Sequence, residues 1–210
     1  MSRGKFITLE GGEGVGKTTT LVFLESYLRA RKISVITTRE PGGTKLGETL
    51  RQLLLDKNSE QISPEAELLM MFAARAQHLK HIIDPALARG DWVVCDRFTD
   101  ATYAYQGGGR NMKTSHIEWL ENVVQGNLRP DITILLDAPV KIGIERARSR
   151  GAFDRFESET ITFFENVRRA YLLQAELNPD RIKIIKANQP IADVQQNIVN
   201  LLSPLLRGNV

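Results

Sequence analysis

The chain has 210 residues, of which 42% are hydrophobic and 25% are charged, and its formal net charge is +3. This length allows one full hydrophobic core, and a charge so close to balance does not call for a nucleic-acid partner. The single cysteine, Cys95, excludes an intramolecular disulfide and a cysteine metal cluster. No apolar run approaches the roughly 20 residues of a membrane span, so we expect a protein of the cytoplasm with no membrane partner.

The first half of the chain alternates short apolar runs with segments of helical periodicity. Leu21, Leu24 and Leu28 recur at helical spacing, and Ser63 followed by Pro64 is typical of a capped helix start. The pattern predicts strands over residues 5–10 and 33–37 and helices over 18–31, 44–56 and 63–88.

The second half continues the alternation with predicted strands over residues 92–95, 132–136 and 182–185 and a closing helix after Pro190. Near-continuous apolar strands separated by helices indicate a parallel sheet that is covered on both faces. We therefore predict an α/β fold with three layers and five parallel strands, in one domain over residues 1–210. The glycine-containing stretches 107–110 and 149–155 are expected to be flexible loops.

Residues 11–18 match the pattern G-x-x-x-x-G-K-[ST] at every fixed position, and they lie between a predicted strand and a predicted helix. In such a loop, backbone N–H groups and the helix N-terminus bind phosphate oxygens. Lys17 would reach the terminal phosphates of a nucleotide, and the hydroxyl of Thr18 would bind Mg²⁺. The flanking elements argue against a chance match in a glycine-rich turn. The predicted ATP-binding residues are Gly11, Gly12, Glu13, Gly14, Val15, Gly16, Lys17, Thr18 and Thr19.

Polar side chains at other strand ends are expected near this loop, because ligands of parallel sheets collect at the carboxyl ends of the strands. Asp96 is placed like a carboxylate that holds Mg²⁺ through water, although it could be a solvated strand end. Arg39 and Arg97 could bind the phosphate of an acceptor opposite the nucleotide, or they could form surface ion pairs. Asp137 has a similar position without an adjacent arginine.

Arginines also cluster around the second glycine-containing stretch. Arg150 and Arg155 lie within it and Arg148 lies just before it, where a mobile flap could close over ATP phosphates. A solvated helix face is the alternative for such charges.

A further pair, Phe72 and Arg75, stands three positions apart on a predicted helix and could contact a nucleobase, although a Phe on a helix is usually part of the core. On the same helix, His78 and His81 are interpreted as residues of the polar face.

The combination of motifs resembles the bacterial thymidylate kinases over nearly the whole chain. The motifs are the phosphate loop, REPGGT at 39–44, FAARAQ at 72–77, DRF at 96–98, AYQGGGR at 104–110 and RPD at 129–131. The resemblance implies a P-loop NTPase fold like that of the nucleoside monophosphate kinases, with a short lid at about 148–157. It implies ATP-dependent phosphorylation of dTMP to dTDP in dTTP biosynthesis, with Mg²⁺ as cofactor, by a homodimer.

The resemblance also implies roles for individual residues. Lys17 and Thr18 would hold the ATP phosphates and Mg²⁺, Arg39 and Arg97 the dTMP phosphate, and Arg75 the thymine edge with Thr102 and Gln106. Tyr105 would crowd the sugar 2′ position, and Glu13 would lie near the sugar. Because the phosphate loop has no arginine, Arg148, Arg150 and Arg155 would be the catalytic arginines of the lid. Met71 stands where the family usually has the phenylalanine that covers thymine, so either Met71 or Phe72 would take that role.

Two other functions are compatible with a phosphate loop. One is a kinase for another nucleoside or nucleotide, and the other is a nucleotide-dependent switch without an acceptor. The second group of arginines argues against a switch, which has no use for Arg39, Arg75 and Arg97 opposite the nucleotide.

Overall fold

The computed structural model describes residues 3–57, 60–148, 155–157 and 159–207. The strands are β1 (Phe6–Glu10), β2 (Val35–Arg39), β3 (Trp92–Asp96), β4 (Ile132–Asp137) and β5 (Ile182–Lys186). They form one five-stranded sheet in the order β2-β3-β1-β4-β5, and every neighbouring pair is parallel. The predicted five-stranded parallel sheet is therefore confirmed.

Helices cover both faces of this sheet. They are α1 (Lys17–Arg29), α2 (Lys45–Leu55), α3 (Pro64–His78), α4 (Asp84–Ala88), α5 (Thr99–Thr102), α6 (Thr114–Gln125), α7 (Val140–Arg148), α8 (Ile161–Leu177) and α9 (Ile191–Arg207). At the start of α3, the Ser63 hydroxyl accepts a hydrogen bond from the Ala66 N–H at 3.2 Å, as the capping pattern predicts. None of the helices in the described ranges is both long and apolar enough to cross a membrane.

The core lies on the two sides of the sheet because successive side chains of a strand point to opposite faces. Ile7 and Leu9 of β1 pack in the cluster that includes Leu24 of α1 and Ile198 of α9. Phe6 packs on the other side with residues of α4 and β3. A further cluster on α8 includes Phe163, Val167 and Tyr171. Burial on both faces explains why the strand sequences are almost continuously apolar.

Strand order determines where a ligand can bind. The central strand β1 lies between β3 and β4, so the connections from β1 to β2 and from β3 to β4 both pass over a neighbouring strand. Such a reversal leaves a crevice at the carboxyl ends of the strands. The phosphate loop follows β1 and therefore begins in the middle of this crevice.

One sequence prediction about local structure is confirmed and another is wrong. The helix predicted over 63–88 runs without a break from Pro64 to Ala88, and its turn over Leu79–Ile83, between α3 and α4, is π-helical. The glycine-rich stretch at 107–110 is not an open loop, because Tyr103–Gly109 continue α5 as a π-helical segment packed against α8. A Cβ on Gly108 would lie 2.6 Å from Ala170 Cβ, so glycine permits the close approach of the two helices. Most of the other predicted loop, residues 149–154, lies outside the described residues.

Candidate active site

One open cavity lies at the carboxyl ends of the central strands. Residues 13–18 of the phosphate loop line part of its wall. Asp96, Arg97 and Tyr105 also line it, as do residues of α3 and α5 that were predicted to read a base. Residues from distant parts of the chain are thus brought to the walls of one cavity.

The lysine of the phosphate loop is hydrogen-bonded to the backbone of the same loop. Gly16 caps α1 and Gly14 has φ +67°, where a Cβ would lie 1.9 Å from the Gly143 carbonyl oxygen. The ammonium of Lys17 donates hydrogen bonds to the carbonyl oxygens of Gly11 and Gly12 at 2.9 and 2.8 Å. Burial lowers the pKa of Lys17 below its ordinary value, and Arg97 lowers it further. Phosphate oxygens that replace the two carbonyl groups would add opposite charge and favour the protonated lysine.

The backbone after β3 is held in an uncommon conformation. Arg97 has φ +69°, which is rare for a residue with a Cβ. Its N–H donates to the Leu9 carbonyl at 2.9 Å, and the next N–H, of Phe98, donates to Glu10 Oε1 at 2.7 Å. The other oxygen of Glu10 accepts from the Tyr171 hydroxyl at 2.8 Å. These bonds join the end of β1 to the turn that carries Arg97, and so they fix where Arg97 points.

The side chain of Arg97 lies against the phosphate loop. Its Nη2 donates to Glu13 Oε1 at 2.6 Å, and its Nη1 donates to the Tyr105 hydroxyl oxygen at 2.8 Å. The Tyr105 hydroxyl in turn donates to the same oxygen of Glu13 at 2.8 Å. The guanidinium carbon lies 4.8 Å from the centre of the Tyr105 ring. A cation, a carboxylate and an aromatic ring therefore meet where the loop faces the cavity.

At another part of the wall, Arg75 of α3 is buried but only partly hydrogen-bonded. Its Nε donates to Glu40 Oε2 at 2.7 Å and its Nη2 donates to the Thr102 hydroxyl at 3.0 Å. Nη1 is buried and has no hydrogen-bond partner among the described residues. Because a buried unpaired donor is costly, this nitrogen favours a ligand that brings an acceptor.

The structure separates the two candidates for covering a base. Met71 lines the cavity, whereas Phe72 is 2% exposed and packs with Leu68 and Ile117 in the core. Phe72 also lies under Arg75, with 4.7 Å between the guanidinium carbon and the ring centre. Of the two alternatives for covering a base, Met71 therefore lines the cavity and Phe72 does not. The two side chains are one residue apart, which turns them about 100° on a helix.

Asp96 and Thr18 present oxygen atoms to the cavity, and oxygen is the ligand type that Mg²⁺ takes. Both line the cavity, and Asp96 Oδ1 is buried without a hydrogen-bond partner among the described residues. Among the residues that the structure describes, no group of three or more acidic, histidine or cysteine side chains is arranged to hold a metal. A pair fits Mg²⁺, which keeps several waters and takes only one or two protein ligands when phosphates supply the others.

Comparisons with known proteins identify the family of the chain. A family model described as thymidylate kinase matches residues 9–198. The chain is 59% identical over 203 residues to the thymidylate kinase of Teredinibacter turnerae, with 97% of this chain and 99% of the relative covered. It is 54% identical over 210 residues to that of Methylococcus capsulatus, with both chains fully covered. The chain belongs to the thymidylate kinase family. The crystal structure of the thymidylate kinase of Ehrlichia chaffeensis superposes with a TM-score of 0.79 at 33% identity, covering 95% of this chain and 98% of that one. The predicted family and the predicted P-loop NTPase fold are thus confirmed.

Within this thymidylate kinase fold, Arg39 does not line the cavity as the sequence analysis expects, whereas Arg51, to which that analysis gave no role, does. Arg39 lies outside the cavity, where its exposed side chain pairs with Glu48 at 2.9 Å. Arg51 of α2 lines the cavity and donates to the Pro41 carbonyl oxygen at 3.1 Å. The reason is the alternation along the chain after β2: the next residue, Glu40, turns inward to Arg75, so Arg39 turns outward.

The three arginines that the sequence analysis assigns to a lid differ in how the structure describes them. Arg150 lies outside the described residues. Arg148 is exposed at the end of α7. Arg155 does not line the cavity; its Nε donates to the Leu54 carbonyl oxygen at 2.7 Å and its Nη2 to Glu67 Oε2 at 2.5 Å. In this structure Arg155 is therefore held by a buried carboxylate of α3 and not by the phosphate loop.

The remaining predicted residues lie around the cavity or beside it. Gln106 lines it and donates to Glu67 Oε1 at 2.8 Å. Thr19 borders a separate surface groove near Arg146. Asp137 does not line the cavity, and both of its oxygens accept from Arg168, at 2.7 and 2.9 Å.

Sequence reasoning missed several residues of the site. Arg51 and Phe98 line the cavity, Glu40 accepts from Arg75 of its wall, and Glu67 accepts from Arg155. Phe98 and Glu40 belong to the quoted motifs DRF and REPGGT, so a signal was present. Arg51 and Glu67 gave none, since a charged residue on an amphipathic helix is normally solvated.

Proposed function

We propose that the chain transfers the γ-phosphoryl group of ATP to dTMP and that the cavity described above is its active site. The reaction gives dTDP and ADP, and dTDP is the precursor of dTTP. Membership of the thymidylate kinase family supports the reaction. One observation supports the location, namely that a phosphate loop and a buried arginine with an unpaired nitrogen line the same cavity.

In this proposal the donor binds at the phosphate loop. The N–H groups of residues 11–19 surround the ATP phosphates, and Lys17 leaves the carbonyl groups of its own loop to contact the terminal phosphates. Thr18 and Asp96 hold Mg²⁺, which neutralises phosphate charge when it is bound. The unpaired, buried oxygen of Asp96 supports this assignment.

The acceptor lies along the rest of the cavity. Arg97 and Arg51 bind the dTMP phosphate, since both line the cavity and a guanidinium forms paired hydrogen bonds with phosphate oxygens. Tyr105 lies beside the sugar and excludes a 2′-hydroxyl, with Glu13 near the same sugar. Met71 covers the thymine ring. Arg75 donates its free Nη1 to the thymine O4, with Thr102 and Gln106 beside the base.

The chemistry asks little of the protein beyond alignment and charge. A phosphate monoester has a second pKa near 6, so dTMP presents an anionic oxygen at neutral pH and needs no general base. That oxygen forms the new P–O bond as the bond between the γ-phosphorus and the bridging oxygen of ADP breaks. Arg97 and Lys17 stabilise the charge that spreads over the transferred group.

The lid supplies further positive charge. We propose that Arg148, Arg150 and Arg155 act as catalytic arginines when the lid closes over ATP. For Arg155 this requires release from Glu67, because its guanidinium now pairs with that carboxylate and cannot bind ATP phosphates at the same time. Closure on binding is a known way to assemble a catalytic site only around substrate.

We also infer that the enzyme is a homodimer of the cytoplasm. Leu69 on α3 and Trp119 and Val123 on α6 are 57%, 65% and 63% exposed, and these two helices pack side by side. Exposed apolar side chains on neighbouring helices are typical of an interaction surface. With a single cysteine the chain can form no intramolecular disulfide, which suits a reducing compartment.

The test of the proposed function is a coupled ADP-release assay with dTMP, dUMP, dCMP, dGMP and dAMP as acceptors. We expect dTMP to be used best, dUMP less well because it lacks the methyl group, and dCMP hardly at all. The amino group of cytosine places a donor opposite the Arg75 donor, and such mismatches reduce kcat/KM by roughly 10⁴-fold. Equal kcat/KM for dCMP and dTMP would contradict the assignment, and ATP hydrolysis without any acceptor would favour a nucleotide-dependent switch.

A further inference from the structure

His78 is a buried polar residue to which no role in substrate binding or transfer has been assigned. It is the last residue of α3, one turn after Arg75, and its side chain is 0% exposed. This corrects the interpretation of His78 as a residue of the polar face. Only His81, on the following π-helical turn, is exposed as that interpretation requires.

Both ring nitrogens of His78 are engaged. Nδ1 lies 2.9 Å from Glu40 Oε1, and Nε2 lies 2.6 Å from the Thr38 hydroxyl oxygen. An ionised carboxylate can only accept, so Nδ1 carries the proton and donates to Glu40. In the neutral ring, Nε2 then accepts from Thr38. Gly43 leaves room for this arrangement, because a Cβ on Gly43 would lie 2.6 Å from the ring.

Glu40 connects His78 to the base-reading end of the cavity. Its Oε1 is held by His78 and its Oε2 by Nε of Arg75, so the two bonds fix the rotation of one carboxylate. Thr102 holds the Nη2 of Arg75. Only Nη1 is left without a partner among the described residues. The direction of that nitrogen therefore depends on a series of contacts that begins at Thr38 and passes through His78 and Glu40.

We propose that His78 is a positioning residue for pyrimidine recognition, because its hydrogen bond to Glu40 holds Arg75 in the orientation that selects a carbonyl acceptor. The inference rests on the proposed function, in which Arg75 reads the thymine O4. His78 does not contact the substrate. It acts through Glu40, whose carboxylate would otherwise rotate and let the guanidinium of Arg75 turn.

The test compares His78→Leu, which removes both hydrogen bonds, with His78→Asn, whose amide can still donate at the position of Nδ1. His81→Leu is the matched control, since it changes an exposed histidine close by on the same stretch of helix. Three quantities are measured for each variant: KM for dTMP, KM for ATP, and the ratio of kcat/KM for dTMP to that for dCMP. Thermal melting reports whether each variant is folded.

His78→Leu is expected to raise KM for dTMP and to lower the dTMP/dCMP ratio, each by roughly 10- to 100-fold, because small misplacements of a binding group have effects of this size. KM for ATP should stay within about twofold, since the phosphate loop is not part of this network. His78→Asn should restore most of the ratio, and His81→Leu should match the wild type.

Several results would overturn the inference. They are an unchanged dTMP/dCMP ratio in folded His78→Leu, a parallel rise of both KM values, and a ratio for His78→Asn no better than that for His78→Leu. If His78→Leu does not fold, Thr38→Val decides: a fall of about threefold in the ratio supports the proposal, and no change refutes it. A wild type without preference for dTMP would instead refute the proposed function itself.

Discussion

Replacing Tyr105 with Phe removes one oxygen atom from the place where Arg97, Glu13 and the aromatic ring meet. That oxygen lies 2.8 Å from Arg97 Nη1 and 2.8 Å from Glu13 Oε1. The ring itself is 6% exposed and is held by edge contacts with Phe156 and Phe163. We therefore expect the ring to stay in place while the hydroxyl contacts are lost.

The magnitude follows from the contacts that remain. Each hydrogen bond to a charged group contributes about 1.5 to 3 kcal/mol. The substitution removes two such bonds, but Arg97 and Glu13 still pair with each other at 2.6 Å, so we expect a net loss of about the value of one bond. At 1.4 kcal/mol for each factor of ten, kcat/KM for dTMP should fall by roughly 10- to 100-fold. Discrimination against ribose should persist, because the bulk of the ring is retained.

The assay is coupled ADP release with dTMP and with ribothymidine 5′-monophosphate. Tyr103→Phe is the matched control, because its hydroxyl also donates to a carboxylate, Glu121, at 2.6 Å, and Tyr103 does not line the cavity. Tyr103→Phe should leave both substrates within about twofold of the wild type. If Tyr105→Phe accepts the ribonucleotide as readily as dTMP, the hydroxyl and not the ring is the filter, and the reasoning is refuted.

Three further variants test the phosphate end of the site, and a fourth tests the buried carboxylate of Glu10 at the end of β1. Lys17→Met should lower kcat by roughly 10²- to 10³-fold with an unchanged melting temperature; full activity would exclude the loop lysine from the reaction. Asp96→Asn should raise the Mg²⁺ concentration for half-maximal activity about tenfold, and an unchanged Mg²⁺ titration would remove Asp96 from the metal site. Arg150→Ala should lower kcat by roughly 10²- to 10³-fold while KM for dTMP stays within about threefold; a rise in that KM alone would place Arg150 on the acceptor. Burial and the nearby Asp100 raise the pKa of Glu10 from its ordinary 4.5 to about 8, so the folded state binds an extra proton between these values and loses stability as pH rises. In urea unfolding, the free energy of unfolding of Glu10→Gln should therefore rise relative to that of the wild type between pH 5 and pH 8.5, by at most about 5 kcal/mol. A difference between the two proteins that does not change with pH would contradict the raised pKa of Glu10.

Some parts of the fold and the site could be read directly from the residues. The apolar runs that form β1, β3 and β4 are buried over nearly their whole length. Strands that are apolar at almost every position are typical of a parallel sheet covered on both faces, so this arrangement could be predicted. Residues 11–18 have a conformation that their own glycines permit, so the loop and the helix after it were predictable. These features depend on neighbours within a few positions of the chain.

The sequence could not determine which way individual side chains point. Arg39 and Arg51 have the same chemistry, yet only Arg51 faces the cavity. Met71 and Phe72 are adjacent on α3, and burial against α6 turns Phe72 into the core. In each case the neighbouring residues in the chain are compatible with either side chain facing the cavity, and a contact with another element decides which one does.

The amino-acid sequence by itself thus determined the succession of strands and helices along the chain, the phosphate loop and the family, because these depend on local periodicity and on short motifs. Only the tertiary structure decided that His78 is buried and holds Glu40, that Glu67 holds Arg155, and that Arg75 keeps one unpaired nitrogen. The physical reason is the turn of about 100° per helical residue and the alternation of a strand, which make orientation depend on the face that packing buries. That face is set by segments far away in the chain, and their side chains meet only when the sheet and its helices are assembled.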